Sequence, residues 1–199
     1  MSRIALVVLA AGTSRRFGAL DKLAMTLGGR PLLAWTLDAA DTDVVERRDR
    51  LVVIGPGSVA ASRIAEARGW RTAFAHDAAR GMGASLRAGL FAAGADDDVA
   101  GAIVLLGDDP LAARMLDAVA TEAITDPGVA VAVHRTPFLP HPVYLPRASW
   151  PGRDSRVDDH GLRDALGEDC SWIDDPGDRP LDVDVPADIE AVRRRLVGD

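Results

Sequence analysis

Two glycines, a pair of adjacent arginines and a lysine lie within LAAGTSRRFGALDK, residues 9–22, which leaves the end of the apolar run IALVVLAA. Glycine lets the backbone turn tightly so that successive N–H groups converge, and the cations add charge; together they make an anion cradle. Two well-known phosphate loops do not fit. A dinucleotide fingerprint needs G-x-G-x-x-G, but Ser14 replaces the second glycine, and VVI runs into Gly55-Pro56-Gly57 where an acid is expected. A Walker loop needs four residues before Gly-Lys, whereas five separate Gly12 from Gly18 and Ala19 follows. Lys22 is the single lysine among 23 cationic residues. Its compact ammonium can follow a moving phosphate oxygen, where a guanidinium fork prefers a fixed, planar partner.

Carboxylates at strand ends are the second chemical feature. GAIVLL runs into Gly107-Asp108-Asp109-Pro110, and Asp182 and Asp184 alternate within PLDVDVP, so they share one strand face. Aspartate beside proline also builds turns, and Asp109 and the run Asp96 to Asp98 read as a solvated turn and a loop. Ser85, at the start of a helical pattern, reads as an N-cap. Cys170 has no partner for an internal disulfide, so it reads as a structural thiol and a reducing cytoplasm is expected.

The elements that must position these residues alternate along the chain. IALVVLA, RLVVI, WRTAF, GAIVLL and VAVAVH read as strands, several apolar throughout as expected for strands covered on both faces. Helices are expected in LLAWTLDAA after Pro31, in VAASRIAEARG between an N-capping Ser58 and a C-capping Gly69, and in LAARMLDAVATEAI. GASLRAGLFAAGA is expected to carry Leu86, Leu90 and Phe91 on one face. The proline-rich residues 137–152 read as an extended connection holding one short strand, VYL. DDHGLRDAL suggests a short helix and ADIEAVRRRLV a final one. The alternation predicts one α/β domain over residues 1–199, three-layered and Rossmann-like, with a doubly wound, mostly parallel sheet.

Composition excludes some partners. At 48% hydrophobic and 27% charged residues the chain is ordinary for a globular protein, and its net charge of -7 argues against nucleic-acid or anionic-membrane binding. Any anionic ligand must be drawn by local base. Arg3 followed by IALVVLAAG could mimic a signal peptide, but its charged end is very short, and Arg15-Arg16 follow the apolar run rather than precede it. It reads as a buried strand.

The opening LAAGTSRRFG…K resembles the L-A-(A/G)-G-x-S-x-R-M-G-x-x-K motif of the MobA-like nucleotidyltransferases. Three further segments are similar to that family in the same order: GMGASLRAGL, LLGDDPL and LDVDVPADI. HPVYLPR and DDHGLRDAL match more loosely, so the resemblance spans nearly the whole chain, and GMGASLRAGL is similar to the molybdenum cofactor cytidylyltransferases in particular. HDAAR, residues 76–80, echoes another cytidylyltransferase family, but GASLRAGL follows it where that family has its serine segment before it.

The resemblance implies transfer of a nucleotidyl group to a phosphorylated acceptor, molybdopterin above all, with release of pyrophosphate. It implies Arg16 and Lys22 as the catalytic basic pair; Leu9, Ala10, Ala11, Gly12, Thr13 and Ser14, with Gly83 and Ser85, as the nucleotide contacts; Asp108 and Asp184 as ligands of Mg2+; and His141 on the acceptor side. A molybdoenzyme or its chaperone is the implied protein partner. Leu9 to Gly12 read L-A-A-G, the cytidylyl form, so CTP is expected over GTP, with the Ala11 methyl narrowing the floor under the base. Phe17 stands for the usual methionine, one extra residue precedes Lys22, and Pro140 replaces a glycine before His141.

Overall fold

The computed structural model describes residues 3–12, 21–134, 140–150, 161–176 and 188–197. The apolar run after Arg3 is strand β1 (Arg3–Leu9), covered on both faces: Leu6, Val8 and Ala10 enter one core cluster, Ala5, Val7, Leu9 and Ala11 the other. That two-sided burial explains why the run is apolar throughout. The hairpin β2 (Thr26–Leu27) and β3 (Arg30–Pro31) follows, leading into helix α1 (Leu32–Ala39). Then come β4 (Arg50–Ile54), α2 (Val59–Glu66), β5 (Arg71–Phe74), α3 (Met82–Ala93) and β6 (Val99–Leu106). The second half holds α4 (Leu116–Thr125), β7 (Val131–His134), β8 (Val143–Pro146), α5 (Gly161–Leu166), β9 (Ser171–Asp174) and α6 (Asp188–Val197).

Seven strands form one sheet in the order β5-β4-β1-β6-β8-β7-β9, parallel except for β8. Residues of α1, α2 and α4 share the core on one face, and those of α3 and α5 the core on the other, giving the expected α/β/α layers. From β1 the chain winds outward through β4 to β5, then returns to lay β6 on β1's other side. The carboxyl ends of β1 and β6, level at Leu9 and Leu106, therefore flank the topological switch point, where ligands of such sheets bind. Among the described residues no helix is long and apolar enough to cross a membrane.

VYL forms a strand as expected, β8, fully buried between β6 and β7. Three local readings change. SWID forms the edge strand β9, which its alternating, half-exposed pattern had hidden. Ser58 stands at the N-cap of α2, but its hydroxyl accepts from the N–H of Gly55 (3.2 Å) instead of capping the helix. Phe91 is 59% exposed, so the buried face of α3 runs Leu86, Gly89, Leu90, Ala93. Phe91 stands five residues after Leu86, about 140° around the helix, and so turns away from the sheet, while at Gly89 the helix lies too close to the sheet for a side chain. A Cβ there would sit 2.5 Å from Val7 Cγ1 and 2.7 Å from Val53 Cγ2.

Gly89→Ala is therefore expected to destabilise the protein by about 1–2 kcal/mol, overpacking outweighing the roughly 1 kcal/mol that alanine gains over glycine in a helix. Urea unfolding measures it; an unchanged or raised midpoint would mean that α3 does not approach the sheet this closely.

Candidate active site

At the end of β6 the chain turns through Gly107, Asp108 and Asp109, and each residue is held differently. Gly107 donates its N–H to Leu9 O (2.9 Å), joining β6 to β1 one residue beyond the regular ladder, and its carbonyl accepts from Thr36 Oγ1 on α1 (2.8 Å). A Cβ on Gly107 would stand 3.0 Å from Leu9 O, which favours glycine there. Asp109 is fully buried: its Oδ1 accepts from the N–H groups of Leu111 and Ala112 (3.1 Å each), and its Oδ2 lies 3.5 Å from His141 Nε2. Between them Asp108 keeps its carboxylate 30% exposed and accepts from Lys22 Nζ at 2.6 Å.

Lys22 reaches that position from a single 3-10 turn, Lys22–Ala24. Asp21 caps the turn, its Oδ1 accepting from Leu23 N (3.1 Å). The ammonium is brought in with only 8% of the residue exposed. A pair so buried loses much of its Coulomb gain to desolvation, so it is poor material for stability alone. What it does is set a mobile cation and a hard oxygen donor side by side at the switch point.

On the β1 side, Ala10 donates its N–H to Val53 O (2.9 Å) and Leu9 O is taken by Gly107, so these two residues frame the site. Ala11 is 4% exposed, and a Cβ on Gly55 would come within 3.4 Å of its methyl. The methyl thus faces Gly55 in the core rather than flooring an open base pocket, and any influence on the base passes through that packing. Gly12 is exposed. Thr13, Ser14, Arg16 and Asp184 lie outside the described residues.

Helix α3 starts at the same edge of the sheet, after Gly81 at a φ of 118°, which favours glycine. Gly83 lies in its first turn, and Ser85 is buried inside the helix, so Ser85 is not its N-cap. His141, joined to Pro142 by a cis peptide, is fully buried against Asp109 and offers an acceptor no exposed edge. Asp109 likewise corrects the solvated-turn reading. The signal available was an N-cap residue placed just before a helical start, a pattern that a neighbouring Pro110 disguised as a surface turn. Thr36 was missed too, its only sign being a hydroxyl inside an otherwise apolar helix face.

The chemistry of the donors fits magnesium. Mg2+ takes oxygen ligands, commonly one or two carboxylates completed by phosphate oxygens and water. Asp108 supplies such an oxygen at the sheet edge, and among the described residues no group of three or more His, Cys, Asp or Glu side chains forms an all-protein metal cage.

A buried lysine and a strand-end carboxylate at the switch point of a doubly wound sheet are what a nucleotide-binding α/β protein places there. Residues 6–172 match the profile of the MobA-like NTP transferase domain, and the chain belongs to that family of nucleotidyltransferases. The crystal structure of the Mycobacterium tuberculosis Rv0371c homologue from Mycobacterium sp. strain JC1 is similar at 26% identity, covering 98% of each chain with a TM-score of 0.81. Rv0371c of M. tuberculosis H37Rv, solved as a manganese complex, shares 22% identity over 96% of this chain and 98% of its own (TM-score 0.71). A nucleotidyl transferase from Methanothermobacter shares 19% identity over 99% of both chains (TM-score 0.76). No curated protein matches significantly.

Because the Lys22 ammonium is enclosed, a bulkier guanidinium cannot take its place without displacing neighbours. Lys22→Arg should lower turnover at least about tenfold despite the retained charge, approaching the loss in Lys22→Met. Steady-state pyrophosphate release from the purified variants reads this out; parental activity in Lys22→Arg would reduce the role of Lys22 to charge alone.

Proposed function

We propose that the protein transfers a cytidylyl group from CTP to the phosphate monoester of a small acceptor, with molybdopterin the acceptor its motifs favour. The observation that carries this reading is the Lys22–Asp108 contact of 2.6 Å at the open ends of β1 and β6. It brings a phosphate-neutralising cation and a metal-type oxygen to one point. An oxygen of the acceptor phosphate attacks the α-phosphorus in line. The bond from that phosphorus to the bridging oxygen breaks, and pyrophosphate leaves with the electron pair. Positioning and charge neutralisation dominate such a transfer.

Lys22 and Arg16 neutralise the triphosphate and the departing pyrophosphate, while N–H groups from Ala11 to Ser14 orient the phosphates. The triphosphate competes with Asp108 for the Lys22 ammonium, so nucleotide binding and loosening of that contact are coupled. Gly83, in the first turn of α3, allows ribose or base to approach the backbone. Asp108 and Asp184 are the residues that would hold magnesium, which when bound draws charge from the phosphate oxygens. The cytidylyl preference rests on the L-A-A-G form of residues 9–12. Residues 1–199 act as one catalytic domain, and the single half-buried Cys170 supports a reducing, cytoplasmic setting. A molybdoenzyme or its chaperone would receive the product.

Asp108→Ala should remove about 3 kcal/mol or more of transition-state stabilisation, over a hundredfold in rate, while the domain stays folded by circular dichroism. Near-parental turnover in magnesium would assign Asp108 a structural role only. Competition between CTP and GTP in a pyrophosphate-release assay, run with a panel of phosphorylated acceptors, should favour CTP by roughly tenfold or more in kcat/KM. A GTP preference would overturn the cytidylyl assignment, and turnover with a sugar phosphate instead of molybdopterin would overturn the acceptor.

A further inference from the structure

Asp109 and His141 are the two fully buried titratable side chains nearest the site, and neither has a direct part in the transfer just described. Enclosing a carboxylate and an imidazole is costly unless their bonds are made, and a well-packed apolar pair could fill the same space. Their placement suggests what they do instead. Asp109 follows Asp108 directly, and His141 lies two residues before Val143, where β8 begins. β6 and β8 are adjacent, paired at Val104 and Val143. The Asp109 carboxylate thus ties three parts together: the exit of β6, the 3-10 turn Ala112–Met115 through the N–H of Ala112, and the approach to β8 through His141.

Gly107 is clamped on the other side by Leu9 O and by Thr36 Oγ1. Asp108 is consequently a partly exposed residue between two fixed ones, and its carboxylate can point only where those clamps allow. We propose that the buried Asp109–His141 pair is a positioning device, which fixes the direction in which Asp108 presents its carboxylate to Lys22 and to a divalent cation. This rests on the reading of Asp108 as a metal-site residue. Outer contacts of this kind shift metal affinity by roughly 10–100-fold when removed.

The test uses Mn2+ alone, read from the electron paramagnetic resonance signal of the free ion during titration of the whole protein. His141→Leu, of similar volume but without ring nitrogens, should bind Mn2+ about tenfold or more weakly, whereas His141→Gln, which restores an N–H donor, should stay within about threefold of the parent. The Asp109→Asn, His141→Leu double variant should bind no more weakly than the worse single variant, because both act through one contact. Should His141→Leu fail to fold, Asp109→Asn, which keeps an acceptor for Leu111 and Ala112, must still weaken binding. Parental Mn2+ affinity in folded His141→Leu or Asp109→Asn, or strictly additive losses in the double variant, would make the pair merely structural and overturn the proposal. Absence of Mn2+ binding by the parent protein would instead overturn the reading of Asp108 beneath it.

Discussion

An ammonium and a carboxylate held 2.6 Å apart, where the strand order of the sheet reverses, is the interaction on which the rest of this structure is organised. Left to itself such a pair would be better solvated than buried. The surrounding fold removes that option. β1 and β6 run in register from Ile4 and Gly101 to Leu9 and Leu106, so their ends are level. Gly107 extends that alignment by one bond, Thr36 fastens it to α1, and Asp21 holds the turn that delivers Lys22.

The contrast with arginine shows how specialised that position is. Arg50 is also buried, but it is satisfied as a fork: it donates to Val45 O through two nitrogens (3.1 and 2.9 Å), contacts Asp41 and Thr42 O, and lies 6.0 Å from the Trp70 ring centre. Arg3 similarly bridges Asp49 and Asp96, and hydrogen bonding to Asp96 is the main cause that pushes its pKa further up. These guanidinium groups staple the loops at the amino edge of the sheet through several fixed bonds. At the carboxyl edge the Lys22 ammonium, whose three donors are not fixed in a fork, donates to the Asp108 carboxylate. A protein of net charge -7 can thereby present a local cation to an anionic ligand.

How much could be read from the residues follows from what each segment buries. Beyond the arginines that open β1 and β4, the central strands β1, β4 and β6 are apolar because helices cover both their faces, so length and β-branching identified them. Lys22 and Asp108 were legible as chemistry because each closes or follows such a strand. β8 was legible as a short strand in VYL, but its prolines hid its place, and only the partners on either side, β6 and β7, make it a core strand. Phe91 misled through its hydrophobicity alone: it stands five residues after Leu86, off the i, i+3, i+4, i+7 stripe that holds Gly89, Leu90 and Ala93. The burial of Asp109 depends on His141, 32 positions away in the chain, and no local pattern carries that contact.

Because Lys22 is the single lysine, protein labelled with 15N at lysine Nζ yields one side-chain resonance, a direct probe of the centre of this site. That signal should shift in Asp108→Asn without any ligand, and in the parent protein it should shift again, saturably, as magnesium and CTP are added. A resonance unmoved by both would contradict the central claim that Lys22 and Asp108 together form the triphosphate site.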